Sequence, residues 1–363
     1  MAISTVGASG LNSAVSQIGK NLVPNGAMTV QQKGNPATGI GADNVKGLVD
    51  MFKFDRNASP QARYTITRET SSGPTGFPNW LKVDVTTAES AVAAGETQGI
   101  THNIEAQNLQ GLLYGTAGAK AVTLSFYFMS PKTGTHCVAL FGTDGSRSFI
   151  REFTIASADT WEKFEITFPG DASGTINSDT GDGLRIQWPI ICGTTFQASA
   201  DGWASGQDYA TSNQQNLADN TANNIGLAGV QLEVGSVATD FEHEPVSVTL
   251  AKCQRYLWVV PTANGDYISM GLVNGSTATL NLLPLPVTMR AVPSLVLSAE
   301  THFGCIEIGV ATRATTALSL DGASSEQLAM MQATVSSSGM AQGEATVLSS
   351  ASASATMALT AEL

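Results

Sequence analysis

Apolar and polar residues alternate one for one through segment after segment of this chain, and that rhythm leaves few folds open. In residues 122–128 (VTLSFYF), Val122, Leu124, Phe126 and Phe128 fall on one side of an extended backbone, and Thr123, Ser125 and Tyr127 on the other. Phe164, Ile166 and Phe168 oppose Glu165 and Thr167 in the same way, and Leu184, Ile186 and Trp188 oppose Arg185 and Gln187. The rule repeats at 81–85 (LKVDV) and 230–234 (VQLEV), with turn signals such as Thr-Asp-Gly at 143–145 and Gly-Asp-Gly at 181–183 between runs. Short half-buried strands without intervening helical patterns predict an all-β chain built on an antiparallel sandwich.

With 363 residues the chain exceeds one ordinary core. The pattern divides it into a short N-terminal arm at 1–20, a sandwich at 21–246, and a linker helix with a smaller C-terminal β domain at 247–363. Charged residues make up only 13%, about half the usual share, while glycine reaches 36, a composition that favours tight turns over charged helices. The net charge of −12 reflects few cations, and no Lys/Arg run exists to meet a phosphate backbone, so nucleic acid is excluded as a partner. No apolar run reaches the roughly 20 residues that span a bilayer, and the start lacks signal-peptide features, so neither membrane insertion nor secretion is expected.

Two segments depart from the strand rhythm. Leu11, Val15 and Ile18 lie at helical spacing in the arm, and Ser247 stands where it could cap a helix over 247–257 that places Leu250, Cys253 and Leu257 on one face. Both helices are too short to stand alone and must dock on something larger. Further on, Asn274-Gly275 predicts a hairpin, and within the Ala/Ser/Thr-rich stretch 334–358 the recurrence of Val335, Val347, Leu348 and Met357 predicts two closing strands. The polar stretch 197–224 reads as a surface loop over one end of the sandwich.

No catalytic signature is present: G-x-S-x-G, H-E-x-x-H and the phosphate-loop pattern are all missing. Cys137, Cys192, Cys253 and Cys305 are scattered without a C-x-x-C pair, as expected of buried thiols. His102 follows the apolar parity of Ile100 and Ile104 and reads as a buried imidazole rather than a ligand. Oxygen donors crowd 177–183 (NSDTGDG), which makes calcium the one metal worth considering. The helix-loop-helix pattern nonetheless needs Gly and Glu where Asp182 and Trp188 stand, so a plain acidic turn is the preferred reading and no cofactor is expected. Glu162, Glu165 and Asp171 are acidic, but sequence alone cannot pair them for glycoside hydrolysis. In the polar loop, Trp203 and Tyr209 have two readings: exposed rings that stack on a sugar, or anchors folded inward.

One stretch adds a resemblance. Residues 226–258 (GLAGVQLEVGSVATDFEHEPVSVTLAKCQRYLW) resemble the end of a carbohydrate-binding-module-like jelly roll of tailed-bacteriophage tail fibres and minor structural proteins. The matches are V-Q-L-E-x-G at Val230–Gly235, A-T-x-F-E at Ala238–Glu242, and L-x-x-C-Q-R-Y at Leu250–Tyr256. Residues 21–34 resemble the opening of that family, with Ala27 and Met28 in place of its acidic-aromatic pair and Lys33 in place of Arg. The two central strands are similar at 121–130 and 160–170, and the following β domain at 283–295 and 359–363; the first 20 residues have no match.

The resemblance implies a virion protein made in the host cytoplasm, usually homotrimeric and contacting other virion proteins of tail or capsid. Outside the resemblance, the first 20 residues read as a docking arm with Leu11, Val15 and Ile18 as its apolar contacts, and Cys253, Arg255 and Tyr256 fall at the junction between the domains. A tail fibre or related surface appendage, with host-surface glycans as ligand, is the leading expectation. A capsid decoration or head-fibre protein is the alternative, and a polysaccharide-degrading enzyme a weaker one.

Overall fold

A computed structural model describes residues 19–34, 36–46, 48–307 and 312–363; Leu11, Val15 and Ile18, and with them the proposed arm, lie outside the described residues. The all-β antiparallel expectation holds. Thirteen strands form the N-terminal unit: β1 (Ala37–Ile40), β2 (Val45–Lys46), β3 (Phe52–Asn57), β4 (Arg63–Glu69), β5 (Trp80–Thr87), β6 (Thr97–Glu105), β7 (Val122–Met129), β8 (Gly134–Gly142), β9 (Arg147–Ile155), β10 (Glu162–Phe168), β11 (Asp182–Cys192), β12 (Trp203–Ser205) and β13 (Asn224–Val234). They make a six-stranded sheet, β1-β4-β5-β13-β7-β10, packed on a seven-stranded sheet, β12-β9-β8-β11-β6-β3-β2.

Alternation does what the sequence requires of it. Leu81, Val83, Val85, Val122, Leu124, Phe126 and Phe128 from one sheet meet Phe52, Phe54, Ile100, Leu184, Ile186 and Trp188 from the other in one buried core. Phe126 stands edge-on to Trp188 at 5.6 Å between ring centroids. His102 joins this core against Phe52, and its Nε2–H donates to the Pro24 carbonyl at 3.3 Å.

Strand β13 departs from a plain alternation. Ile225 and Leu227 point inward, but the register shifts between Ala228 and Gln231, so the inward residues beyond it are Val230 and Leu232. Gly229 makes the shift with φ +58°, a conformation and a closeness that suit only glycine: a Cβ there would lie 2.9 Å from the Phe77 ring. Val234, expected to close the core, is instead 47% exposed, because the strand ends there and Gly235 turns the chain at φ +131°.

The expected helix is α1, Val246–Gln254, shorter than its pattern implied. Pro245, not Ser247, stands at its N-cap and makes no side-chain cap bond; Thr249 and Cys253 are its buried residues, and Leu257 already belongs to a strand. After α1 come β14 (Leu257–Val260), β15 (Tyr267–Gly275), β16 (Ala278–Pro284), β17 (Ser294–Leu297), β18 (Phe303–Glu307), β19 (Arg313–Leu320), β20 (Leu328–Val335), β21 (Ala345–Ser350) and β22 (Met357–Thr360). Six of them close a barrel, β15-β16-β20-β19-β18-β21, and β14-β22-β17 form a small sheet beside it. The β15–β16 hairpin turns at Ser276-Thr277, and Asn274-Gly275 lies at a register shift on the strand end.

The two units meet at Glu105, whose side chain has no exposed surface. Arg255 donates Nη2–H to its Oε1 at 2.7 Å and Nε–H to its Oε2 at 3.0 Å, and the Tyr256 hydroxyl donates to the same Oε2 at 2.7 Å. Cys253 is buried on the same helix. Gln32, whose amide spans the backbone of Leu257 and Val259, and Arg290, which donates to the Thr180 carbonyl at 2.8 Å, extend the contact.

Burial holds the His102 imidazole down at about 4, against an ordinary value of 6.5. The unfolded chain therefore binds a proton that the folded chain refuses, and stability present above pH 6.5 is lost as the pH falls towards 4. The loss amounts to something on the order of 3 kcal/mol. Urea midpoints measured from pH 7 to 4 will fall steeply in the wild type and less steeply in His102→Gln; parallel curves would remove His102 as the cause.

Breaking a fully buried ion pair from one side costs about 3–5 kcal/mol, and the partial exposure of Arg255 brings the expectation for Glu105→Ala towards ~2–3 kcal/mol. In calorimetry the two units of that variant should unfold in separate transitions where the wild type shows one; a single unshifted transition would contradict this.

Candidate functional site

Where the inner face of the seven-stranded sheet obeys the apolar rule, its outer face breaks the converse one, because polar side chains there are buried. Adjacent strands set them in register. Lys53 on β3 faces Thr101 on β6, Thr101 faces Gln187 on β11, and one step along, Asn103 faces Arg185. Thr101 and Gln187 are 0% and 1% exposed.

Four charges share this floor. Lys53 Nζ lies 3.2 Å from Asp55 Oδ2, Arg185 Nη2 lies 3.1 Å from Asp182 Oδ2, and Arg185 Nη1 lies 3.9 Å from Asp55 Oδ2. The Arg185 guanidinium also sits over the Phe141 ring, 5.8 Å from its centroid. Burial pushes the Lys53 ammonium below its ordinary value, with Asp55 opposing and Arg185 adding repulsion. Burial likewise raises the Asp182 carboxyl against the pull of Arg185.

Several atoms of this floor have no hydrogen-bond partner: Thr101 Oγ1, Asn103 Oδ1, Gln187 Oε1 and Arg185 Nε, while Asp55 Oδ2 has only its ion-pair neighbours. Each such group costs about 1–3 kcal/mol when buried, and finding them together on one face marks a place where another molecule supplies the missing bonds. Gln187, Arg185 and Asp55 line a cavity of about 220 Å³ together with Lys53, Thr97, Gln207 and Tyr209, and Asn44, Arg56 and Asn57 form its rim.

Residues 197–224, expected over one end of the sandwich, divide: 197–211 lie across the outer face, while Leu217 and Ala218 enter the main core at the sandwich end, where Leu217 N–H donates to Ile190 O at 3.0 Å. Ala198 N–H donates to Ala210 O at 3.0 Å and Tyr209 N–H to Phe196 O at 2.9 Å, while β12 pairs with the edge strand β9. Beneath this segment Cys137, Ala139, Phe141, Ile150 and Cys192 form a second small core with Tyr209 and Ala210. Its polar side chains are consumed by turns and anchors, such as Gln214, whose Oε1 accepts from Cys137 N–H at 2.7 Å.

The structure separates the two aromatic candidates of that segment. Tyr209 is 3% exposed and stands in the cavity wall, where its hydroxyl accepts from Arg185 Nη1 at 3.5 Å and from the Gln207 amide. Trp203 lies on β12, packed edge-on against Phe149 and Tyr114, with Nε1–H donating to the Pro169 carbonyl at 2.8 Å. Arg255 and Tyr256 border the far end of the same face through Glu105. Asp171, a sequence-level acid, is paired with Arg147 at 2.7 Å, and Glu162 and Glu165 lie on edge strand β10. At 177–183, Asp179 Oδ1 accepts from Gly181 N–H at 2.8 Å, and among the described residues no group of three or more His, Cys, Asp or Glu is placed to hold a metal ion.

The opposite outer face, on the six-stranded sheet, also buries polar side chains, but they are bonded: Gln231 Nε2–H donates to Glu233 Oε1 at 2.9 Å and the Thr123 hydroxyl to the Gly235 carbonyl at 2.9 Å. Phe77, Trp80, Tyr127, Trp161 and Phe241 cluster beside them, and Trp161 lies so close over Gly226 that a Cβ there would meet its ring at 2.5 Å.

No protein-family model matches the chain, and no curated protein matches it. Among solved structures it is similar to the enzymatically active domain of tailspike protein 4 of bacteriophage CBA120, at 10% identity and a TM-score of 0.31, over 59% of this chain and 21% of that one. It is also similar to a CBM4 module (11% identity, TM-score 0.29, 58% of this chain and 99% of the module). A third is the family 11 carbohydrate-binding module from Clostridium thermocellum in complex with a beta-1,3-1,4-mixed-linked tetrasaccharide (16% identity, TM-score 0.27, 55% and 100%).

Proposed function

We propose that this chain is a non-catalytic subunit of a tailed-phage virion, a surface appendage whose sandwich binds saccharide in the polar cavity of its seven-stranded sheet. The observation that carries the binding half is the set of buried polar atoms without a hydrogen-bond partner at Gln187, Asp55 and Arg185 around one cavity. Sugars present hydroxyls at every ring position, and a floor of fixed amide, hydroxyl and paired charged groups is what orients them. The virion half rests on the resemblance at 226–258, which also implies a homotrimer; attachment through the N-terminal segment is read from the spacing of Leu11, Val15 and Ile18.

Asp55 and Asp182 both belong to the floor, and glycoside hydrolysis uses two carboxylates. Each is already committed to a cation, Lys53 or Arg185, so we assign them to holding the floor in place rather than to acid and base roles. Incubation with host envelope should release no oligosaccharide.

Because an orphaned buried polar atom costs stability, the binding residues have a signature that structural residues lack. Gln187→Leu should unfold at equal or higher temperature than wild type, with a gain of up to about 1–2 kcal/mol. On a glycan array it should lose at least tenfold in binding, while Trp203→Ala keeps it. Undiminished binding in Gln187→Leu would refute the assignment. Gold-labelled antibody on intact particles tests the virion half: label on the tail supports an appendage, label over the head a decoration protein, and absence of label from particles refutes both.

A further inference from the structure

The polar floor is walled on two sides, and its unpartnered atoms are mostly of one kind. Across the strands, the 196–211 segment covers β8 and β9, with Tyr209 stacked on Phe196 at 6.0 Å and fastened by Asp208 N–H to Ser148 Oγ at 3.3 Å. Along the strands, the C-terminal unit closes the face where Arg255 and Tyr256 grip Glu105. There Glu362 and Leu363 crowd Lys53 and Asn103 around a remnant space of about 20 Å³. The mouth lies on the β3 side, at the exposed Asn44 and Asn57. The main cavity, about 220 Å³, is smaller than the roughly 300 Å³ at which sites for drug-sized ligands begin.

At the cavity the unused hydrogen-bonding capacity is mainly that of acceptors: Gln187 Oε1 and Asp55 Oδ2 against one donor, Arg185 Nε. Every cation at the cavity is matched by an acid, Lys53 by Asp55, Arg185 by Asp182 and Arg56 by Asp43, so no surplus positive charge awaits a carboxylate. A carboxylate placed here would face Asp55 at close range.

We propose that the cavity is a terminal subsite, which takes one uncharged sugar unit at the end of a glycan chain and cannot thread an internal stretch. This rests on the saccharide reading above. A hydroxyl-rich ring supplies donors to the acceptors, and the remainder of the chain leaves through the mouth at Asn44 and Asn57.

The test is calorimetric titration of the full chain with methyl glycosides of glucose, galactose, rhamnose and N-acetylglucosamine. The methyl glucuronide and galacturonide are titrated alongside, followed by the di-, tri- and tetrasaccharide of whichever neutral sugar binds. The expected result is a Kd that changes by no more than about twofold from one unit to four, with the uronides at least tenfold weaker. Affinity that climbs tenfold or more with chain length, or that favours the uronides, overturns the terminal, neutral subsite while leaving saccharide binding intact. Binding of no sugar by the wild type or on the array overturns the saccharide reading itself, and this inference with it.

Discussion

A carboxylate with no exposed surface, Glu105, holds the architecture together. It sits on the last residue of β6, at the edge of the sandwich, and its charge is tolerable there only because three donors from the next unit reach it. Those donors come from the turn that follows α1, so the short helix, Pro245 before it and the strand Leu257–Val260 after it are all positioned by one requirement. The same contact draws the C-terminal residues against Lys53 and Asn103 and so gives the outer face of the seven-stranded sheet an end.

The cavity floor concentrates what the rest of the fold shows singly. Orphaned polar atoms occur elsewhere, as at His102 Nδ1, His136 Nδ1 and Asn281 Oδ1, while the Asn25 amide is satisfied by the Val30 and Asp50 carbonyls. At Thr101 and Gln187 the backbone ladder is intact, yet the hydroxyl and the amide oxygen lack a partner, as does Nε of Arg185. A sheet designed for stability alone would carry Val and Leu at those outward positions, as β8 does with Ala139 and Phe141 under the covering segment.

The inner faces were fully legible, because a period of two assigns each side chain to a face without knowledge of its neighbours: Val122 to Phe128 and Leu184 to Trp188 lie where alternation puts them. Legibility failed where a register had to be known. The parity of Arg185 and Gln187 places them outward, but only the pairing of β11 with β6, and of β6 with β3, brings Lys53, Thr101 and Gln187 into one row. Nothing local shows that an outward residue is also buried. Val234 shares the inward parity of Val230 and Leu232, but the run VQLEV gives no hint that Gly235 ends the strand there. Within 197–224 the stretch 197–211 cannot be told from a solvent-facing loop, because its hydrophilic composition reflects bonds made within the protein.

The two glycines of β13 have an effect at a larger scale. With no side chain at Gly226 and Gly229, Trp161 and Phe77 pack directly on β13, so the two outer faces of the sandwich differ: rings pack on one, and the other holds the unpartnered polar row. The subunit thus has a front and a back. In the binding mode proposed above, a single small ring would make too few contacts for a tight complex, and gains of many orders would come only when several copies engage one surface at once. Copies that face different ways would waste that gain, so an array binding in that mode would hold its members to one heading.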